Sequence, residues 1–127
     1  MRFFAVAVPA VFGALAFADQ ETVTVKDLTI RDNNGIQMAE FSLQEPNVKC
    51  SGNDFTNGNV VTCGESKYRF TVTGSNSDYK LTLYHETGLA AGRTGSAKAP
   101  VYCHAGGNGQ NDFVCSQVDD LKVTLDS

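Results

Sequence analysis

Tyr68-Arg69-Phe70-Thr71-Val72-Thr73-Gly74-Ser75-Asn76-Ser77-Asp78-Tyr79-Lys80-Leu81-Thr82-Leu83 is the stretch that sets the fold class. Tyr68, Phe70 and Val72 alternate with Arg69, Thr71 and Thr73, and Tyr79, Leu81 and Leu83 return alternating with Lys80 and Thr82. Side chains of a strand point alternately to its two faces, so this period of two places one apolar row against a core and leaves threonine and base in solvent. Gly74 to Asp78 supplies the turn. The segment therefore predicts a β-hairpin whose sheet is covered on one side.

The same chemistry extends outward in both directions. From Glu21 to Arg31, Val23 and Val25 keep one phase while Leu28 and Ile30 keep the other. A slip of one position flips the buried face, so a bulge or bend is expected near Lys26-Asp27. Asn34-Gly35 tolerates positive φ at both positions and predicts a tight turn into Ile36 to Leu43, itself phase-shifted, as the antiparallel partner. Further strands are expected at Val60 to Cys63, Ala97 to Tyr102, Phe113 to Cys115 and Asp120 to Leu125. Leu89 to Arg93, rich in alanine and glycine, reads as an edge strand or a loop. No segment after the N-terminal apolar run combines a helical period with a cap and a stop. Many short strands with regular turns define an all-β protein, a compact antiparallel β-barrel or β-sandwich.

Phe3 to Phe17 is almost wholly apolar, follows the single charge of Arg2, and leads into Ala16-Phe17-Ala18. This is the pattern of a secretory signal peptide over residues 1–18, cleaved before Asp19. The run is shorter than the ~20 residues a membrane-spanning helix requires, and Pro9 and Gly13 weaken it further. Cleavage leaves 109 residues, one domain over 19–127. Nine basic and fourteen acidic residues then give a net charge of −5, which offers no footprint for nucleic acid or anionic lipid. No membrane insertion is expected, and no Asn-x-Ser/Thr sequon occurs.

Cys50, Cys63, Cys103 and Cys115 are the only cysteines. In a small exported chain an even count reads as a disulfide framework, and four cysteines allow three pairings. Sequence proximity favours Cys50–Cys63 and Cys103–Cys115, each closing a turn-rich loop; a closure of that size stabilises by about 3 kcal/mol in the chain-entropy model. There is no Cys-x-x-Cys pair, so no metal site is expected.

No catalytic constellation is legible. His85 ends a strand and His104 follows a cysteine, and nothing in the sequence places a nucleophile and an orienting carboxylate beside either. Glu86 and Asp119-Asp120 read as solvated turn residues. Gly106-Gly107-Asn108-Gly109 lacks the lysine and hydroxyl of a phosphate loop. No cofactor is expected.

The block Tyr102-Cys103-x-Ala105-Gly106-Gly107-Asn108-Gly109-x-x-Asp112-Phe113-Val114-Cys115, followed by Val118 and Thr124-Leu125, resembles the C-terminal signature of the fungal family typified by the major Alternaria allergen. Cys63-Gly64-Glu65 before an aromatic strand is similar to that family's central segment. The resemblance implies a secreted antiparallel β-barrel or β-sandwich with the two disulfides Cys50–Cys63 and Cys103–Cys115. It also implies kinship with secreted elicitors of plant defence. Some relatives join two subunits through a cysteine near the mature N-terminus. No cysteine lies between Asp19 and Lys49, so a monomer or a noncovalent dimer is expected.

Three functions follow as expectations. The first is an effector or elicitor that meets a plant apoplastic or cell-surface protein and provokes a hypersensitive-type response. The resemblance makes thaumatin-like pathogenesis-related proteins candidate partners. His104, Asn108, Gln110, Asn111 and Asp112 form the expected partner-contact loop. The second is a carrier of a small aromatic or phenolic ligand lined by Tyr68, Phe70 and Tyr79. The third, ranked last, is a hydrolase using His85 or His104.

Overall fold

A computed structural model describes residues 20–44 and 46–127. The expected signal peptide lies outside the described residues. Among the described residues ten strands form one antiparallel sheet: β1 (Gln20–Asn33), β2 (Ile36–Gln44), β3 (Val48–Gly52), β4 (Val61–Thr62), β5 (Tyr68–Ser75), β6 (Asp78–Gly88), β7 (Ala91–Lys98), β8 (Val101–Ala105), β9 (Asp112–Gln117) and β10 (Leu121–Asp126). The ladder runs β3-β2-β1-β10-β7-β6-β5-β4 and curls into a nearly closed barrel, with β8 and β9 branching from β1.

The branch point is the bulge. β1 pairs with β10 from Gln20 to Val25 and with β9 from Thr29 to Asn33, so its neighbour changes where its apolar phase slips. Its register against β2 shifts between Lys26 and Thr29, and Asp27 takes φ 58°. Gln117 fastens this kink: its side-chain amide donates to the Val25 carbonyl at 3.0 Å and accepts from the Leu28 N–H at 3.0 Å. Backbone groups that the bulge removes from the ladder are thereby satisfied.

The alternating residues turn inward as their period requires. Val23, Val25, Leu28, Ile30, Phe41, Leu43, Phe70, Val72, Leu81, Leu83, Val123 and Leu125 are all buried. Phe41 of β2 meets Phe70 of β5 edge to face, with ring centroids 4.9 Å apart, so opposite walls of the barrel touch through aromatic rings.

Four details differ from the sequence reading. The β5–β6 turn is tighter than Gly74 to Asp78: Asn76 and Ser77 alone form it, both at positive φ, with Ser75 and Asp78 already paired. This is the primed-turn geometry that matches strand twist. β3 was not anticipated, because Val48 to Gly52 is short and weakly patterned; it is added to the edge of β2 through the register Phe41↔Cys50. Ala97 to Tyr102 is two strands, interrupted at Ala99-Pro100, where proline has no N–H for a ladder. Leu89 to Arg93 divides into a turn, with Ala90 at φ 56°, and the first residues of β7.

Both disulfides have the expected partners. Cys50–Cys63 joins β3 to the residue following β4, the two ends of the ladder. Cys103 and Cys115 are directly opposed in the β8–β9 register and are bonded to each other.

Candidate functional site

Two tyrosine–carboxylate pairs tie β1 to the β5–β6 hairpin, one toward each end of β1. The Tyr79 hydroxyl donates to Asp32 at 2.6 Å, and the other Asp32 oxygen accepts from the Gly35 N–H at 2.9 Å, holding the Asn34-Gly35 turn. The Tyr68 hydroxyl donates to Glu21 at 2.8 Å. Burial, then the hydrogen bond to the neighbouring carboxylate, pushes each phenol above the ordinary tyrosine range.

Around Glu21 the structure assembles a larger cluster. Tyr68, His85 and Arg93 stand in one row across β5, β6 and β7, through the registers Tyr68↔His85 and His85↔Arg93. Glu21 reaches this row from the start of β1. One of its oxygens meets His85 Nδ1 and accepts from Arg93 at 2.9 Å, while the other takes the Tyr68 hydroxyl. The Tyr68 and His85 rings stack with centroids 4.0 Å apart. Partial burial works against the Glu21 charge, but the hydrogen bonds from His85, Tyr68 and Arg93 together outweigh it. The carboxyl is held below its ordinary value of 4.5.

His85 therefore does have an orienting carboxylate, which the sequence reading did not find. Glu21 is 64 positions away in the chain, so no local pattern announces the pair. A nucleophile is still missing: among the described residues no serine, threonine or cysteine hydrogen-bonds to His85. The imidazole is stacked, tied and part of the framework.

The sign of the pH dependence follows. A carboxyl lowered on folding stabilises the protein above its unfolded value, and that contribution is lost as pH falls through its lowered folded value. Glu21→Gln is expected to cost about 2 kcal/mol near neutrality, since it breaks a charged hydrogen-bond hub. The loss should shrink as pH drops below about 4. Thermal unfolding of wild type and variant across pH checks this; parallel curves at all pH values would refute the assignment. The raised phenols act at the other limit, contributing stability up to about pH 10 and losing it as pH rises through their raised folded values.

The outer face of the same three strands carries a groove of about 510 Å³. Arg69, Tyr84 and Thr94 are aligned across it in register, and Lys67, Glu86 and Gly92 border it toward the β6–β7 turn. Leu89, at the tip of that turn, is 99% exposed. Arg69 makes a loose ion pair with Glu86 at 3.6 Å, both side chains about half exposed.

The expected partner-contact loop is organised from inside. His104, Asn108, Gln110 and Asn111 are exposed, as a contact surface requires. Asp112 is not on that surface: it is buried, its backbone oxygen accepts from the Gly106 N–H at 2.8 Å and its carboxylate from the Asn108 N–H at 3.0 Å. It shapes the loop from within, the usual work of an aspartate amid turn N–H groups. Tyr68, Phe70 and Tyr79, expected as ligand-lining residues, are interior, with exposures of 4%, 0% and 1%. Their rings fill the barrel, and none lines the groove. Lys67, Tyr84 and Leu89, which do line it, had no signal in the sequence beyond ordinary strand and turn positions.

These features define a class: a small disulfide-clasped antiparallel barrel whose buried polar groups brace the framework and whose distinctive surfaces are exposed. The family model for Alternaria alternata allergen 1 matches residues 25–115, and the chain belongs to this family. The effector protein PevD1 of Verticillium dahliae is 35% identical over 151 aligned residues that span this whole chain and 95% of the relative. The major allergen Alt a 1 of Alternaria alternata is 37% identical over 65 residues, half of this chain and 40% of the allergen. Two crystal structures of Alt a 1 superpose with TM-scores of 0.66 and 0.69 at 25% and 26% identity. Each covers 82% of this chain, and the matches take in 91% and 86% of the respective allergen chains.

Proposed function

We propose that this protein is a secreted fungal effector that acts without catalysis, by contacting a plant protein in the apoplast or at the cell surface and triggering or modulating host defence. The observation that carries this reading is the similarity to an effector protein along the whole length of the chain. The N-terminal apolar run and the two disulfides accord with export, because thiols stay oxidised outside the cell. A thaumatin-like pathogenesis-related protein is a candidate target. Recognition of this kind needs a stable frame and an exposed surface and no assembled nucleophile.

The test is infiltration of purified residues 19–127, oxidised, into leaves of several plant species at micromolar dose. Cell death or an oxidative burst is expected in at least one host. Uniform silence, alongside a responsive control effector, would overturn the reading.

The cross-strand bond Cys103–Cys115 enters here as a guard on the loop between β8 and β9. Apoplastic proteases cut chains that open locally, and the bond keeps that opening rare. Cys103→Ser/Cys115→Ser is expected to be cleaved between residues 103 and 115 and to lose leaf activity. Mass spectrometry of timed digests would reveal the cut; equal resistance and equal activity would remove this role.

A further inference from the structure

We propose that the groove on the outer face of β5, β6 and β7 docks an acidic, extended segment of a partner protein, with an apolar side chain of that segment lying against Leu89. The inference rests on the effector reading above and assigns it a surface.

The cations come first. Lys67, in the bend just before β5, and Arg69, within β5, both line the groove. The Lys67 ammonium has no ion-pair partner among the described residues. Arg69 holds only Glu86, at 3.6 Å between half-exposed groups, an interaction that an incoming carboxylate can replace. Glu86 is the single acid in the lining. A cationic groove on a chain of net charge −4 selects anionic partners locally while the rest of the surface repels them.

The remaining chemistry suits a peptide. The Tyr84 hydroxyl has no hydrogen-bond partner among the described residues, so it is available to a backbone carbonyl or a carboxylate. Gly92 leaves the groove floor without a side chain. Leu89, wholly exposed at the turn tip, is stabilised when an apolar side chain covers it. An apolar anchor beside charged flanks is the pattern of an interface centre with its rim.

Other occupants fit worse. A second copy meeting this face about a twofold axis would bring Lys67 and Arg69 of both copies together against one Glu86 from each, an excess of like charge. Three lining cations on an acidic protein, one of them (Arg93) already held by Glu21, are too few to hold nucleic acid.

The experiment is selection of a random nonapeptide display library on immobilised, oxidised residues 19–127, followed by titration of the best synthetic peptide. Enriched peptides should carry two or more Asp or Glu residues beside a large apolar residue. Lys67→Glu/Arg69→Glu should weaken the chosen peptide about tenfold or more, and so should raising salt from about 0.05 M to about 0.5 M. Leu89→Ala should weaken it by roughly tenfold, whereas Lys49→Glu/Lys122→Glu, charge reversal elsewhere, should leave it within about twofold. Replacing the peptide's own Asp and Glu by Asn and Gln must also abolish binding, a measurement independent of how the protein variants fold. Enrichment without acidic preference, affinity indifferent to the groove variants, no enrichment at all, or self-association through Leu89 would each overturn the proposal. Leaf infiltration separates the two readings. A wild type silent in every host removes the effector reading without touching the peptide result. An active wild type with equally active groove variants removes the groove alone.

Discussion

Gly95→Ala is expected to leave little folded protein. Gly95 lies in β7 where this strand meets β10, and a Cβ there would run into the backbone carbonyl of Thr124. The two strands share a single register pair, Asp126↔Thr94, so this is the narrow join through which the β1 and β10 wall connects to the β7, β6 and β5 wall. A clash with main chain cannot be relieved by choosing another rotamer; the strands must separate. Overpacking of a core commonly destabilises by 1–3 kcal/mol, and here we expect about 3 kcal/mol or more. Gly88→Ala serves as control, because its nearest foreign atom would be the Ala91 Cβ at 4.0 Å, an ordinary contact. Urea unfolding of both variants measures the difference. A Gly95→Ala midpoint equal to that of Gly88→Ala would mean that β7 and β10 do not approach as described.

Removing the Cys50–Cys63 bond is expected to have an effect of comparable size. β3 and β4 are the first and last strands of the ladder and are not hydrogen-bonded to each other. Side chains cover the seam, with the Val61 methyls and the Phe55 ring close about Gly52, and the disulfide joins the two ends covalently. Cys50→Ser/Cys63→Ser loses the loop-closure term of about 3 kcal/mol. Both sulfurs belong to residues that are 1% exposed, so the serine hydroxyls are also left in an apolar interior. We expect an apparent loss of 3–5 kcal/mol, about the range seen when small exported domains lose a native disulfide. Hydrogen exchange should show β3 and β4 opening before β1 and β10. Protection that falls uniformly along the chain would instead mean that the bond acts on the whole unfolded ensemble and not on the seam.

The fold was legible because a two-residue period is a local signal. Val23/Val25, Leu28/Ile30, Phe70/Val72, Leu81/Leu83 and Leu121/Val123/Leu125 each declare a face without reference to the rest of the chain. The phase slip at Lys26-Asp27 even announced the bulge at which β1 changes neighbours. Weak patterns were missed or blurred: β3 has too few residues to show a period, and β7 is mostly small residues whose place is set by strands on either side. The candidate site was far less legible. Glu21 meets residues 47, 64 and 72 positions away. Lys67, Tyr84 and Leu89 looked like unremarkable surface positions.

Thus the amino-acid order determined the strands, their inward faces, the turn at Asn34-Gly35 and, with the family resemblance, the disulfide partners. All of these rest on neighbours in sequence, or on cysteines a dozen residues apart. Tertiary structure decided which strands adjoin, that β1 divides its edge between β10 and β9, that Tyr68 and Tyr79 serve the core, and that Asp112 faces inward. It alone drew the Glu21 cluster together and left a cationic groove beneath an exposed leucine. The physical reason is range: alternation and turn chemistry act over a few bonds, whereas a carboxylate finds its histidine, or a lysine its open surface, only after the barrel has closed.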